Sequence, residues 1–226
     1  MMTALKQVAL LTGKDLRIEL RTHQTLGLVI VLGILIVVVL GVGLGSAGEV
    51  REGFQATAVL WVAYLFAGVL CFEKTMAVER HDGALAGLLL APIDRGLIFV
   101  GKLLGNLVLM LILAAVITPT GILLLGFDLS AAPGGFALVT LLGMVGFAAV
   151  GTLFAAAVSS SRLRGGLLAL VVFPLCLPVV LTSSRLMVRM FTEGQGLEAG
   201  GLGILAAFDV VYLVVSWLVF EKALTP

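Results

Sequence analysis

The sequence predicts an all-α membrane protein with six transmembrane helices. Three observations carry that reading. First, hydrophobic residues make up 61% of the 226 and charged residues only 12%, against about 45–50% and about 25% in soluble domains. Mean hydropathy is +1.21. Second, six stretches each approach the roughly 20 apolar residues needed to cross the hydrocarbon core. Third, the basic residues are segregated between alternate connections. This composition excludes a soluble globular enzyme and a disordered tail, since too little charge is present to cover a water-facing surface. Lys plus Arg is 14 and Asp plus Glu is 13, so no net field draws the chain to nucleic acid.

The spans fall at about 25–45, 54–72, 97–126, 136–158, 166–183 and 202–220. None shows the short alternating pattern of a barrel strand, and a helix satisfies its own backbone in lipid. The first 24 residues are not a cleavable signal, because the charged part is too long and the first apolar run is long enough to span. The whole chain, 1–226, reads as one transmembrane bundle with no large soluble module.

Before the first span, residues 3–21 read as a short amphipathic helix. Lys14, Arg17 and Arg21 share one face, with Leu5, Ala9, Leu16 and Leu20 near the other side. Such a helix lies in the membrane interface with its basic residues as an anchor. It is either an elbow feeding the first span or a plain topology signal.

Orientation follows the basic residues. With the N-terminus in the cytoplasm, the inside segments carry Lys6, Lys14, Arg17, Arg21, Lys74, Arg80, Arg95, Lys102, Arg162, Arg164 and Lys222. The outside segments carry only Arg51, Arg185 and Arg189. Six spans then put both termini in the cytoplasm. Of the outer loops, 184–201 is the longest, and its first half reads as a short interfacial helix.

Within the spans, the 28 glycines point to close helix packing. Gly41 with Gly45 and Gly101 with Gly105 form GxxxG pairs, which also suit a dimer seam. Pro119, Pro174 and Pro178 are expected to kink their helices, and Asn106 to hydrogen-bond between helices. Cys71 and Cys176 sit far apart in apolar runs and form neither a disulfide framework nor a metal motif. They read as small buried apolar residues.

The longest cytoplasmic connection, residues 73–96, carries the most information. It opens with Glu73, Lys74, Glu79, Arg80, His81 and Asp82, and Gly83 follows as a bend or stop. The apolar run 84–91 holds Leu85, Leu88 and Leu89, and Pro92 closes it. Eight apolar residues are too few to span but enough for a surface helix. Taken alone, this is either a docking element for a cytoplasmic protein or an ordinary interfacial loop.

The run Glu79-Arg-His-Asp-Gly-Ala-Leu-Ala-Gly-Leu-Leu-Leu-Ala-Pro92 resembles the signature of the CcmB family. These are the membrane subunits of the haem exporter used in cytochrome c maturation. Asp15-Leu-Arg-Ile-Glu-Leu-Arg21 resembles the family's N-terminal amphipathic segment. Gly101-Lys102, Arg164-Gly-Gly-Leu-Leu168 and Phe173-Pro-Leu-Cys-Leu-Pro178 match in order. The resemblance covers nearly the whole chain, the last span matching least.

That resemblance implies an ABC-2-type permease in the bacterial inner membrane. It implies a pair of permease copies, a separate CcmA-like ATPase, and haem-handling CcmC- and CcmD-like membrane partners. Residues 73–96 then contain the coupling helix, with Glu73, Glu79, Arg80, Asp82, Gly83, Leu85, Leu88, Leu89 and Pro92 seated on the ATPase. One necessary condition is met in the sequence itself. No GxxxxGK[ST] loop is present, since Gly13-Lys14 is followed by Asp15. The chain is expected not to be an enzyme, with ATP hydrolysed by the partner and haem as cargo rather than cofactor.

Three residues are candidates for cargo contact. Asp209 is the one acidic residue well inside a span, so it faces either a polar pathway or an interfacial partner. Arg185 and Arg189, at i and i+4 on the outer side, suit the carboxylates of haem, although such arginines more often reach lipid phosphate. His23 and His81 lie on the cytoplasmic side and cannot ligate haem outside. Two rival functions remain at this level. One is an ABC-2 permease for a lipid, glycan or drug; the other is a membrane scaffold that moves nothing.

Overall fold

The structure is a computed structural model that describes residues 3–45, 53–81, 87, 93–126, 129–159, 166–191 and 193–223. Among them are seven long helices: α1 (Ala4–Thr22), α2 (Gln24–Gly45), α3 (Gly53–His81), α4 (Arg95–Leu125), α5 (Pro133–Ser159), α6 (Leu167–Phe191) and α7 (Ala199–Ala223). No strand occurs among the described residues. Helices α2 to α7 are each long and apolar enough to cross a membrane. The protein is a multi-pass, all-α membrane protein.

Helices α3 and α5 form the centre, where most of each is buried. Helix α5 packs on α3, α4, α6 and α7, and α3 packs on α2, α4, α5 and α6. The contact is close because α5 offers glycine where α3 offers rings. The Trp61 ring lies against Gly143 and the Phe72 ring against Gly151. A Cβ at either glycine would overlap the ring, so small residues here set the interhelical distance. Phe72 also meets Phe147 edge-on at 5.0 Å. Tyr64 and Thr118 hydroxyls pair across α3 and α4 at 2.6 Å, worth about 0.6 kcal/mol by the average for such bonds in membranes.

Helices α2 and α7 lie at the edge. Val31, Leu35 and Val39 on α2, and Val210, Val214 and Leu218 on α7, are exposed. With hydrocarbon as solvent, exposed aliphatic faces are the expected outcome. Successive spans run antiparallel: Phe99 at the start of α4 touches Phe220 at the end of α7, and Gly135 at the start of α5 meets Met190 at the end of α6. One end of the bundle carries α1, His81, Asp94 and Lys222 and is termed here the basic end.

Two expected boundaries change. The second span does not stop at 72; α3 runs on to His81, because nothing from Glu73 to Arg80 breaks a helix. The expected separate interfacial helix in 184–191 is the last part of α6, which ends at Phe191, ahead of Gly194 at φ 61°. Arg185 and Arg189 therefore stand on the end of a span rather than in a loop. Helix α4 runs through Pro119, and α6 through Pro174 and Pro178. The expected surface helix at 84–91 lies, apart from helical Gly87, outside the described residues.

Candidate functional site

The basic end is built from α1 upward. Helix α1 ends at His23, whose φ of 52° is left-handed and reverses the chain. Three hydrogen bonds fix that turn. The His23 N–H donates to the Glu19 carbonyl at 2.8 Å, and Gly27 N–H to the His23 carbonyl at 3.1 Å. The Leu26 N–H donates to the Glu19 carboxylate at 2.6 Å. The carboxylate thus occupies the N-terminus of α2, where orphan amides and the helix dipole both favour an anion.

Helix α1 has three faces rather than two. Lys14, Arg17 and Arg21 form the basic face expected from the sequence. Leu5 at 84% and Leu20 at 52% exposure form an apolar face with no protein against it. The third face, Leu11, Asp15 and Glu19 at i+4 steps, turns into the bundle. It rests on Gly101 and Gly105 of α4. A Cβ at Gly101 would sit 2.8 Å from the Leu11 Cβ, and one at Gly105 would sit 3.6 Å from the Asp15 Cβ. This GxxxG pair is a seat for α1 within one chain. Gly41, by contrast, lies against Leu125.

The seat is polar at its centre. Lys102, only 5% exposed, donates to the Asp15 carboxylate at 2.8 Å. Lys14 reaches the other oxygen at 3.2 Å. The Thr12 hydroxyl donates to the Gly101 carbonyl at 3.0 Å. A largely buried pair like this adds little net stability.

One turn further along α4 from Lys102 is Asn106. Its side-chain oxygen is 3.1 Å from the Thr75 hydroxyl, and its amide donates to the Thr152 hydroxyl at 2.8 Å. Asn106 thereby joins α3, α4 and α5. Thr75 is two residues past Glu73, in the last part of α3. The chain returns at Asp94, which caps α4 by accepting from Gly96 N–H at 2.7 Å. Arg95 then pairs with Glu221 of α7 at 3.8 Å, and Trp217 packs over Gly96. Both roots of the 73–96 connection are therefore tied into the bundle.

Of the expected coupling residues, Glu73 is half-buried at the end of α3. Glu79 and Arg80 are on the helical backbone of α3, with side chains outside the described set. Asp82, Gly83, Leu85, Leu88, Leu89 and Pro92 lie outside the described residues.

At the far end, Arg189 is engaged by its own loop. It contacts Glu198 and lies 3.9 Å from Glu193, and it donates to Gln195 at 3.2 Å. Arg185, exposed, lines the same open pocket of about 420 Å³ with Val188 and the two glutamates. Asp209 is elsewhere, well inside α7 and 5% exposed. Its Oδ1 presses on the α5 backbone, where a Cβ at Gly146 would lie 2.5 Å away. The carboxylate faces the Gly146 backbone and has no side-chain hydrogen-bond partner among the described residues. Asp209, Tyr212 and Ser216 form one stripe: Tyr212 donates to the Leu175 carbonyl on α6, between Pro174 and Pro178, at 2.5 Å, and Ser216 to the Ala149 carbonyl at 3.2 Å.

Sequence reasoning missed the roles of Asp15 with Lys102, of Glu19 at the start of α2, and of Thr75 and Thr152 beside Asn106. A signal existed. Acidic residues at 15 and 19 on a helix that is otherwise basic on one side mark a third face.

The chain matches the family described as CcmB protein over residues 6–225. It is 32% identical over 194 residues to "Heme exporter protein B" of Rhodobacter capsulatus, covering 83% of this chain and 85% of that one. It is 29% identical over 222 residues to the protein of the same name from Bradyrhizobium diazoefficiens, covering 95% and 94%. A third, from Haemophilus influenzae, is 28% identical over 172 residues, 75% of each chain. With six spans, a seated N-terminal helix and a family match running almost end to end, the chain belongs to the CcmB family.

Proposed function

We propose that this chain is the permease subunit of an ABC transporter that serves haem export and cytochrome c biogenesis. The observation that carries the reading is the family match across residues 6–225, with relatives named as heme exporters. In this reading the whole chain, 1–226, is one permease domain in the bacterial inner membrane, with both termini in the cytoplasm. The basic end faces the cytoplasm. Lys14, Arg17 and Arg21 meet anionic headgroups while Leu5, Ala9 and Leu20 enter the acyl boundary.

The 73–96 connection is the coupling element for a separate CcmA-like ATPase. Helix α3 passes from Gly53 to His81 without a break, so a push on its free end is carried into the bundle by a continuous rod. Glu73, Glu79, Arg80 and Asp82 supply the charged part of the contact, and Gly83, Leu85, Leu88, Leu89 and Pro92 the apolar part. ATP is hydrolysed in the partner. A second copy of this chain and CcmC- and CcmD-like haem-handling proteins complete the assembly. Haem is cargo, and Arg185, Arg189 and Asp209 are candidate contacts along its route. Of these Arg189 already carries acidic partners from its own loop, so an anionic cargo must exchange with Glu193 and Glu198.

The test is loss and recovery of c-type cytochromes in the host. Deleting the gene removes them, and the wild-type copy restores them. Deleting the ATPase gene gives the same loss. Retention of full c-type cytochrome content in either deletion contradicts the proposal and favours another cargo.

A further inference from the structure

We propose that Asp15 and Lys102 are positioning residues. They lock α1 to α4 so that α1 and the roots of the coupling segment on α3 and α4 move as one body. The proposal deepens the permease reading and rests on it.

Four observations lead there. Helix α3 runs to His81 and α4 begins after its cap Asp94, and Asn106 of α4 holds α3 through Thr75, six residues before the end of α3. Lys102 stands one turn before Asn106 on the same face of α4. Its partner Asp15 comes from α1, which is joined to α2 through the His23 turn. The Asn106 amide continues the connection to Thr152 of α5. Through the backbone of α4, the Asp15–Lys102 pair and the Thr75–Asn106–Thr152 set therefore join α1, α4, α3 and α5.

Adhesion alone does not explain the pair. Leu11 already packs on Gly101, and an apolar pair in place of a buried ion pair is often as stable or more so. What an ion pair adds is direction: it holds α1 in one register along α4. That is what a part transmitting a displacement needs, and a greasy contact that can slide does not supply it.

The experiment compares wild type with Lys102→Met, the apolar double Asp15→Leu/Lys102→Met, and the swap Asp15→Lys/Lys102→Asp. Spin labels at Gly13→Cys and Ala77→Cys, both exposed positions, report the distance from α1 to α3 in lipid nanodiscs. Cytochrome c maturation in cells is set against ATP hydrolysis by the purified complex. In Lys102→Met the distance distribution broadens, and maturation per ATP hydrolysed falls about two- to thirtyfold while ATPase capture persists. The swap restores both readouts. The apolar double restores thermal stability but not maturation.

The proposal is overturned if Lys102→Met leaves the distances and maturation unchanged. It is equally overturned if the apolar double restores maturation, since the pair is then only packing. Failure of the permease reading looks different, because wild type itself then captures no ATPase. The transmission role falls with it, while the distance distribution, measured on the permease alone, still decides whether the pair holds α1.

Discussion

Replacing Gly101 by alanine tests the seating of α1 in quantitative terms. The new Cβ would lie 2.8 Å from the Leu11 Cβ, whereas ordinary contact begins at 3.4 Å. Neither atom can rotate away, because both are fixed to their backbones. Helix α1 must lift by at least 3.4 − 2.8 = 0.6 Å. The Thr12 hydrogen bond to the Gly101 carbonyl, now 3.0 Å, stretches to about 3.6 Å, where it no longer counts as one. Overpacking of this kind costs about 1–3 kcal/mol, and the lost hydrogen bond about 0.5–1.5 kcal/mol. Alanine recovers up to about 1 kcal/mol of helix propensity. The net loss is about 1–3 kcal/mol.

Gly105→Ala is the control. Its Cβ meets Asp15 at 3.6 Å, which is ordinary contact, so the propensity gain stands unopposed and stability holds or rises. Thermal unfolding of both variants in mild detergent makes the comparison. Adding Leu11→Ala to Gly101→Ala gives no rescue, because the alanine keeps the offending Cβ. Equal shifts for the two glycine variants, or rescue by Leu11→Ala, would refute the close seat of α1 on α4.

Three further outcomes follow from the same geometry. Glu19→Gln weakens a charged bond to Leu26 worth about 1.5–3 kcal/mol, and amide exchange at Leu26 quickens while exchange in the middle of α4 does not. Asp209→Asn leaves thermal stability equal or higher, because the buried carboxylate it replaces faces the Gly146 backbone with no side-chain partner among the described residues; a marked loss of stability would show that the ionised side chain holds α7 in place. Arg189→Ala changes stability by no more than about 1 kcal/mol, as surface ion pairs do, yet speeds proteolysis within 193–198, where Glu193, Gln195 and Glu198 lose their common partner.

Much of the fold is legible in the sequence, for a physical reason. Lipid demands long apolar helices, so length and hydropathy reveal α2 to α7 directly. The helix ends are less legible. Glu73 to His81 looks like a loop because it is charged, but charge does not break a helix that emerges into water. Residues 184–191 look detached because Ser183, Ser184 and Arg185 interrupt the apolar run, although the helix continues to Phe191, ahead of Gly194 at positive φ.

The candidate site is legible in part. The basic face of α1 and the interhelical role of Asn106 follow from spacing and polarity. The Asp15–Lys102 pair does not, because its partners are 87 residues apart, as 102 − 15 gives, and each resembles an ordinary interfacial charge. Gly101 and Gly105 show that close packing is needed, yet a glycine pair cannot name its occupant. Here the occupant is α1 of the same chain.

The measurement that tests the account most directly is capture of the ATPase subunit by the permease in mild detergent. Wild type is compared with a double reversal, Glu79→Lys and Asp82→Lys, after both are shown to insert and unfold alike. The account predicts that wild type retains the ATPase and the reversal loses most of it. An ATPase that binds neither protein, or binds the reversal as well as wild type, would contradict residues 73–96 as the coupling element.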